Sequence, residues 1–186
     1  MSPDELTTDL LRIAYANGYF PMPDPHTGQI MWLSPEPRAI FPLDGFHISK
    51  SFARTLKKVP FTYSINKAFS EIMNECGNRD DTWITPKFKE VYGKLHQEGD
   101  AHSVEVWLDG NLVGGLYGVS LQGAFFAESM FHRVTDASKA AILFLINHMK
   151  LQHMRLLEVQ FMTPHLQSLG AQELSRRQYL IAQAQS

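Results

Sequence analysis

An α+β domain built on a mixed β-sheet is the fold this sequence predicts, and three observations carry the prediction. Residues 102–131 hold three runs of alternating apolar and polar residues separated by tight turns, one at Asp109-Gly110, the pattern of an antiparallel meander. A long helical stretch follows, capped by Thr135 or Asp136 and running to about Leu151. Leu156 to Met162 then reads as a strand again, so a helix crosses between strands and the sheet mixes directions.

The remaining elements surround that core. Pro3 to Asn17 reads as a first helix, capped by Ser2 or by Thr7-Thr8, with Leu6, Leu10, Leu11 and Ile13 on its apolar side and Gly18 ending it. Tyr19 to Pro42 is dense in proline and weak in period, which predicts an ordered loop packed by its aromatics. Ile48 to Lys58 is a helix with Ser49 as N-cap, Phe61 to Ile65 a short strand, and Lys67 to Cys76 a helix. Pro86 to Glu98 is a further helix closed by Gly99. In the long helix, Ala140, Leu143, Ile146 and Leu151 are expected to face inward. Pro164 to Leu169 reads as a short helix and Arg177 to Ala182 as a last strand. Residues 1–34 are expected to form a small N-terminal subdomain and residues 35–186 the main domain.

Apolar residues make up 44% of the 186 and charged residues 19%, enough material for a substantial core. A net charge of only -2 argues against a general polyanion binder. The charge is unevenly spread, however. From Arg38 to Lys67 six basic residues meet a single acid, Asp44, whereas residues 71–109 hold nine acids against four bases. Lys50, Arg54, Lys57 and Lys58 recur at helical spacing and so share one face, suited to one nucleic-acid element. The lone cysteine, Cys76, rules out an internal disulfide and a cysteine-based metal cluster. His148 and His153 are five apart and no HExxH occurs, so no metal and no cofactor are expected. The acidic N-terminus has no signal-peptide pattern and no run approaches the ~18 apolar residues of a membrane span, which predicts a cytoplasmic protein.

Chemistry is first sought at Glu128, a carboxylate planted in an apolar strand, where an unpaired charge is expensive. It could offer a cationic ligand a bidentate fork or a point charge, or else form a structural salt bridge with Arg133 or Lys139. Ser129 beside it adds a hydroxyl. Glu158 and Gln160 lie two apart on a strand and so point to one face, pairing an acid with an amide that both donates and accepts. That pair could relay a proton, or could be merely the polar outer face of a strand.

The order of helix, antiparallel meander, long helix and strand fits an acyl-CoA N-acyltransferase-like (GNAT-like) layout, in which the acyl donor sits where two central strands splay, but the pattern alone does not separate it from other α+β folds. Nine segments then carry a specific resemblance: ANGYFPM at 16–22, MWLSPEPRAIFPL at 31–43, HISKSF at 47–52, TWIT at 82–85, AHSVEVW at 101–107, LVGGLYGV at 112–119, ESMF at 128–131, ASK at 137–139 and SLGA at 168–171. In order and spacing the chain resembles leucyl/phenylalanyl-tRNA–protein transferases over nearly its whole length. The resemblance implies an acetyltransferase-like domain preceded by a small N-terminal domain, shortened here because the chain begins later than typical members. It implies transfer of leucine or phenylalanine from an aminoacyl-tRNA to the α-amine of proteins beginning with Arg or Lys, a degradation signal of the N-end rule. The family's Asp-x-Gln strand motif stands here as Glu158-Val159-Gln160, one methylene longer.

On that resemblance, Glu158 and Gln160 handle the attacking amine and Glu128 with Ser129 reads the acceptor. Leu116, Phe125, Met130, Leu145 and Leu157 form the apolar donor pocket, although spacing alone would make them plain core. The Lys50, Arg54, Lys57 and Lys58 face meets tRNA phosphates, with Trp32 and Trp83 as stacking surfaces for the terminal adenine. Rival readings are an acyl-CoA N-acetyltransferase, a transferase acting on acidic N-termini, and a non-catalytic tRNA-binding protein. The first is disfavoured because no glycine lies between Gly123 and Gly170, where a pyrophosphate cradle would fall. The second would need a cationic acceptor site, whereas Glu128 and Glu158 make this one acidic.

Overall fold

A computed structural model describes residues 6–79 and 82–186. In chain order the elements are α1 (Thr8–Ala16), β1 (Phe20–Pro23), β2 (Ile30–Leu33), β3 (Arg38–Phe41), α2 (Lys50–Lys58), β4 (Thr62–Ile65), α3 (Phe69–Gly77) and α4 (Pro86–Gln97). There follow β5 (Ala101–Leu108), β6 (Asn111–Leu121), β7 (Ala124–His132), α5 (Ala137–Leu151), β8 (Leu156–Gln160), α6 (Pro164–Ser168), β9 (Gln172–Leu174) and α7 (Arg176–Ala184). Seven strands form one mixed sheet in the order β4-β5-β6-β7-β8-β3-β9, and β1 pairs with β2 in a separate hairpin. Among the described residues only β7 and β8 run parallel, joined by the crossover helix α5. This is the GNAT-like α+β arrangement.

Alternation along the meander feeds two cores. Tyr117, Phe126 and Ala124 point to the face covered by α1, α3 and α4, where Leu11, Tyr15, Phe69, Ile72, Phe88 and Tyr92 pack. Leu116, Phe125 and Val104 point to the opposite face, covered by α5 and by Phe52 of α2. The N-terminal helix and hairpin thus share the first core through Leu6, Leu11, Tyr15 and Phe20.

Several expectations need correction. Part of the proline-rich stretch is strand: the hairpin tolerates Pro21 and Pro23 because both of its strands are edges, and Arg38–Phe41 enters the main sheet between β8 and β9. The last segment, read as a strand, is the helix α7, started by a capping box between Ser175 and Gln178. Its adjacent apolar residues Tyr179, Leu180 and Ile181 mimic a strand, yet Tyr179 is buried and the other two are exposed. The three-residue β9 is too short to leave a pattern. Ile13 and Leu151, expected inward, are exposed; the buried face of α5 is Ile142, Leu145, Ile146 and Met149. Asp136 precedes α5 in a left-handed conformation without capping it, and Thr7 caps α1. Ser2 lies outside the described residues.

At Gly118 the sheet leaves no room for a side chain: a Cβ would lie 2.2 Å from the Phe126 carbonyl oxygen and 2.5 Å from the Phe125 ring. Gly118→Ala should therefore destabilise the protein by roughly 1–3 kcal/mol, the usual cost of overpacking, and a urea titration would detect it.

Candidate active site

β7 and β8 pair at only three positions, from Ala124 opposite Leu156 to Phe126 opposite Glu158, and splay beyond them. The splay opens a cavity of about 110 Å³. This is well above the ~10–15 Å³ one water needs, and its scale suits an amino-acid side chain. Ala127 to Met130 line one side and Val159 and Gln160 the other; Leu116, Ile142, Leu145, Leu157 and Leu166 make its apolar floor. A second cleft of about 80 Å³ lies against the hairpin, lined by Phe20, Pro21, Met22, Trp83 and Phe161. Glu128 and Gln160 line both.

Glu128 is held by phenols rather than by a cation. The Tyr15 hydroxyl donates to it at 2.6 Å and the Tyr92 hydroxyl at 3.5 Å, while the two hydroxyls are 2.6 Å apart. The Gln160 side-chain amide donates to it at 3.3 Å. The anticipated structural salt bridges do not form: Arg133 pairs with Glu75, and Lys139 with Asp136 at 2.7 Å. Burial, with the nearby charge of Glu158 adding, pushes the Glu128 carboxyl up to about 8. Ser129 also lines the first cavity and accepts from Arg79 at 2.9 Å.

Glu158 lies elsewhere than expected. Only 1% exposed, it lines neither cavity. Arg38 of β3 donates to it at 2.7 Å and the Tyr179 hydroxyl of α7 at 3.0 Å. Arg38 also donates to the Gly18 carbonyl and sits over the Phe20 and Tyr179 rings. Burial raises the Glu158 carboxyl, opposed by the guanidinium. The same carboxylate accepts the backbone N–H of Gln160 at 3.2 Å, at a residue whose φ is +60°. A non-glycine residue there costs of order 1–3 kcal/mol, so Glu158 and Arg38 hold a strained turn that ends β8. Because of that turn Gln160, unlike Glu158, reaches the cavities.

Leu116, Met130, Leu145 and Leu157 line the first cavity, but Phe125 does not; its ring lies over Gly118, behind the cavity. Trp83 lines the second cleft and packs edge-on against Phe88, 5.3 Å between centroids. Trp32 lines a different groove, with Leu10, Ile13 and Tyr19. Lys50, Arg54, Lys57 and Lys58 are exposed on α2, whose Phe52 is buried and whose Thr55 donates to Asp136 at 2.7 Å. Sequence reasoning missed Arg38, Tyr15, Tyr92 and Tyr179. The one signal was an arginine leading directly into the apolar run Ala39-Ile40-Phe41.

Two outcomes follow from this geometry. Arg38→Met, leaving Glu158 buried without its partner, should cost about 3–5 kcal/mol in urea unfolding, while adding Glu158→Leu should recover much of that loss. Glu128 has a folded pKa near 8, above its ordinary 4.5. The native state therefore keeps a proton there that the unfolded chain has released, and stability should fall as pH rises between those values. Glu128→Gln should flatten that fall in melting temperature between pH 5 and 8; parallel curves for the two proteins would contradict the assignment.

Comparison with known proteins places the chain in a family. Residues 40–184 match the family model described as leucyl/phenylalanyl-tRNA protein transferase, and residues 4–36 match that of its N-terminal domain. The leucyl/phenylalanyl-tRNA–protein transferase of Salinibacter ruber is 48% identical over 174 residues, covering 94% of this chain and 77% of the relative. That of Herpetosiphon aurantiacus is 48% identical over 175 residues, covering 94% of this chain and 91% of its own. Among solved structures, FemX superposes with a TM-score of 0.52 at 15% identity over 93% of this chain and 70% of its own, a likeness of fold alone. With two family models spanning the cavities and relatives at nearly half identity, this chain belongs to the leucyl/phenylalanyl-tRNA–protein transferase family.

Proposed function

We propose that the protein transfers leucine or phenylalanine from aminoacyl-tRNA to the α-amine of proteins beginning with Arg or Lys, in the cytoplasm, marking them for N-end rule degradation. One observation carries the reading: Glu128 and Gln160 line both cavities, so two substrates bound there meet at the same two side chains. The donor side chain occupies the apolar cavity of Leu116, Met130, Leu145 and Leu157. The acceptor residue enters the cleft of Phe20, Met22 and Trp83, with its cationic side chain taking up Glu128 and displacing the proton that carboxyl carries. No helix among the described residues is long and apolar enough to cross a membrane.

The chemistry is exchange of an ester for an amide. The neutral α-amine, with an intrinsic pKa of about 8, attacks the ester carbonyl; the C–N bond forms, the C–O bond to the ribose breaks, and the amine's proton ends on the ribose oxygen. The Gln160 amide oxygen is placed to accept a hydrogen bond from the attacking amine and so orient it, since its nitrogen already donates to Glu128, while the amine's proton passes to the leaving ribose oxygen. Glu158 acts as a positioning residue, holding the Gln160 backbone rather than touching substrate. Residues 1–34 serve as a small subdomain that walls the acceptor cleft through Phe20, Pro21 and Met22. The exposed basic face of α2 receives tRNA phosphates, and Trp83 is the better placed of the two tryptophans to stack on the terminal base.

The test is transfer of radiolabelled leucine from Leu-tRNA to peptides differing only in an N-terminal Arg or Asp. Label is expected on the Arg peptide alone, reduced roughly 10²-fold by Gln160→Ala. Label on the Asp peptide would reverse the role given to Glu128, and binding of tRNA without label on either would identify a non-catalytic protein.

A further inference from the structure

The apolar cavity between β7 and β8 has a polar rim where α5 begins. Three residues that line the cavity each have a hydrogen-bond donor just outside them. His132 lies two residues beyond Met130 on β7, Lys139 one turn before Ile142 on α5, and His165 directly before Leu166 on α6. His132 Nδ1 is 3.4 Å from the hydroxyl of Ser138, the neighbour of Lys139. Burial, then the charges of Lys139 and His132, hold the His165 imidazole below its ordinary value. Both histidines are exposed. Lys139 pairs with Asp136, yet the pair turns its cation outward: the lysine side chain is 27% exposed and the carboxylate 8%. Thr55 of α2 takes the second Asp136 oxygen, and the Lys139 ammonium lies 5.9 Å from the Phe52 ring of the same helix. The rim therefore adjoins the helix that carries Lys50, Arg54, Lys57 and Lys58. Acids are sparse in this stretch of chain: Asp136 is the single one between Glu128 and Glu158, and none occurs between Glu158 and Glu173.

We propose that His132, Lys139 and His165 bind a backbone phosphate of the single-stranded 3′ end of the tRNA, between its duplex on α2 and its aminoacyl group in the cavity. The inference rests on the donor cavity and docking face assigned above. An amino acid seated between β7 and β8 is esterified to a strand that leads out past this rim, and that strand carries a phosphate at every nucleotide. Lys139 keeps two ammonium N–H groups beyond the one given to Asp136, and each neutral imidazole has one ring N–H. A phosphate there meets one charged and two neutral donors, with the Asp136 charge already covered by Lys139 and Thr55. Contacts of this kind read no base, so they place the ester beside Gln160 whichever tRNA brings it.

The experiment compares leucine transfer to one Arg-peptide from leucyl-adenosine, which has no phosphate, and from a leucyl-CCA trinucleotide, which has internucleotide phosphates. The ratio of the two kcat/KM values within one preparation does not depend on how much of a variant is folded. Wild-type protein should favour the trinucleotide. Lys139→Gln should lower that preference roughly tenfold, the worth of a charge-assisted hydrogen bond, and His132→Asn combined with His165→Asn should lower it too. Lys50→Glu combined with Arg54→Glu, on the face that meets the duplex, should reduce transfer from whole Leu-tRNA without changing the ratio. No preference in the wild-type protein, or an undiminished preference in both rim variants, would overturn the phosphate site. Should the wild-type protein transfer from no donor at all, the reaction itself is refuted, and fluorescence anisotropy of an uncharged, labelled CCA trinucleotide decides the site. Binding weakened by Lys139→Gln supports it, and binding indifferent to that change overturns it.

Discussion

The site depends on the buried ion pair between Arg38 and Glu158, which ties β3, β8 and α7 together at 1% exposure for both side chains. Such a pair is costly to desolvate and contributes little net stability over an apolar replacement. Its value here is geometric. Glu158 accepts from the Gln160 backbone, Arg38 from β3 donates to the carbonyl that ends the first helix, and Tyr179 closes the remaining carboxylate oxygen. β8 is thereby turned away from β7 at the residue whose side chain lines both cavities. A buried polar network of this kind can hold one arrangement that packing alone would leave loose, even though Arg38 Nε is left without a hydrogen-bond partner.

Beside this locked pair stands a carboxylate left responsive. Glu128 has only neutral donors, two phenols and an amide, and its carboxyl is pushed up to about 8. Two glutamates in one neighbourhood thus have different tasks because their partners differ. The one with a guanidinium holds the turn at Gln160, and the one without has its carboxyl pushed up.

Much of the scaffold was legible in the sequence, because it rests on periodicity. The meander, the crossover helix, the N-caps Thr7 and Ser49 and the cationic face of α2 all follow from residues within a few positions of one another. The reading failed where local pattern was mute or misleading. Prolines hid the hairpin and β3, and three adjacent apolar residues disguised α7 as a strand. Phe125 was placed in the donor pocket by resemblance, yet its ring is diverted over Gly118. Glu158 and Gln160 do sit two apart on one strand, but a positive φ sends their side chains to different surroundings.

What the sequence determined by itself was the α+β class, the family, and the presence of an unusual acid in an apolar strand. Each is carried by residue type and short-range order. Only the tertiary structure decided that Arg38 meets Glu158 across 120 positions, that Tyr15 and Tyr92 converge on Glu128, and that His132, Lys139 and His165 gather at the rim of one cavity. Those facts depend on how distant segments pack, and charge pairing, strand splay and cavity shape have no signature in neighbouring residues from which they could be read.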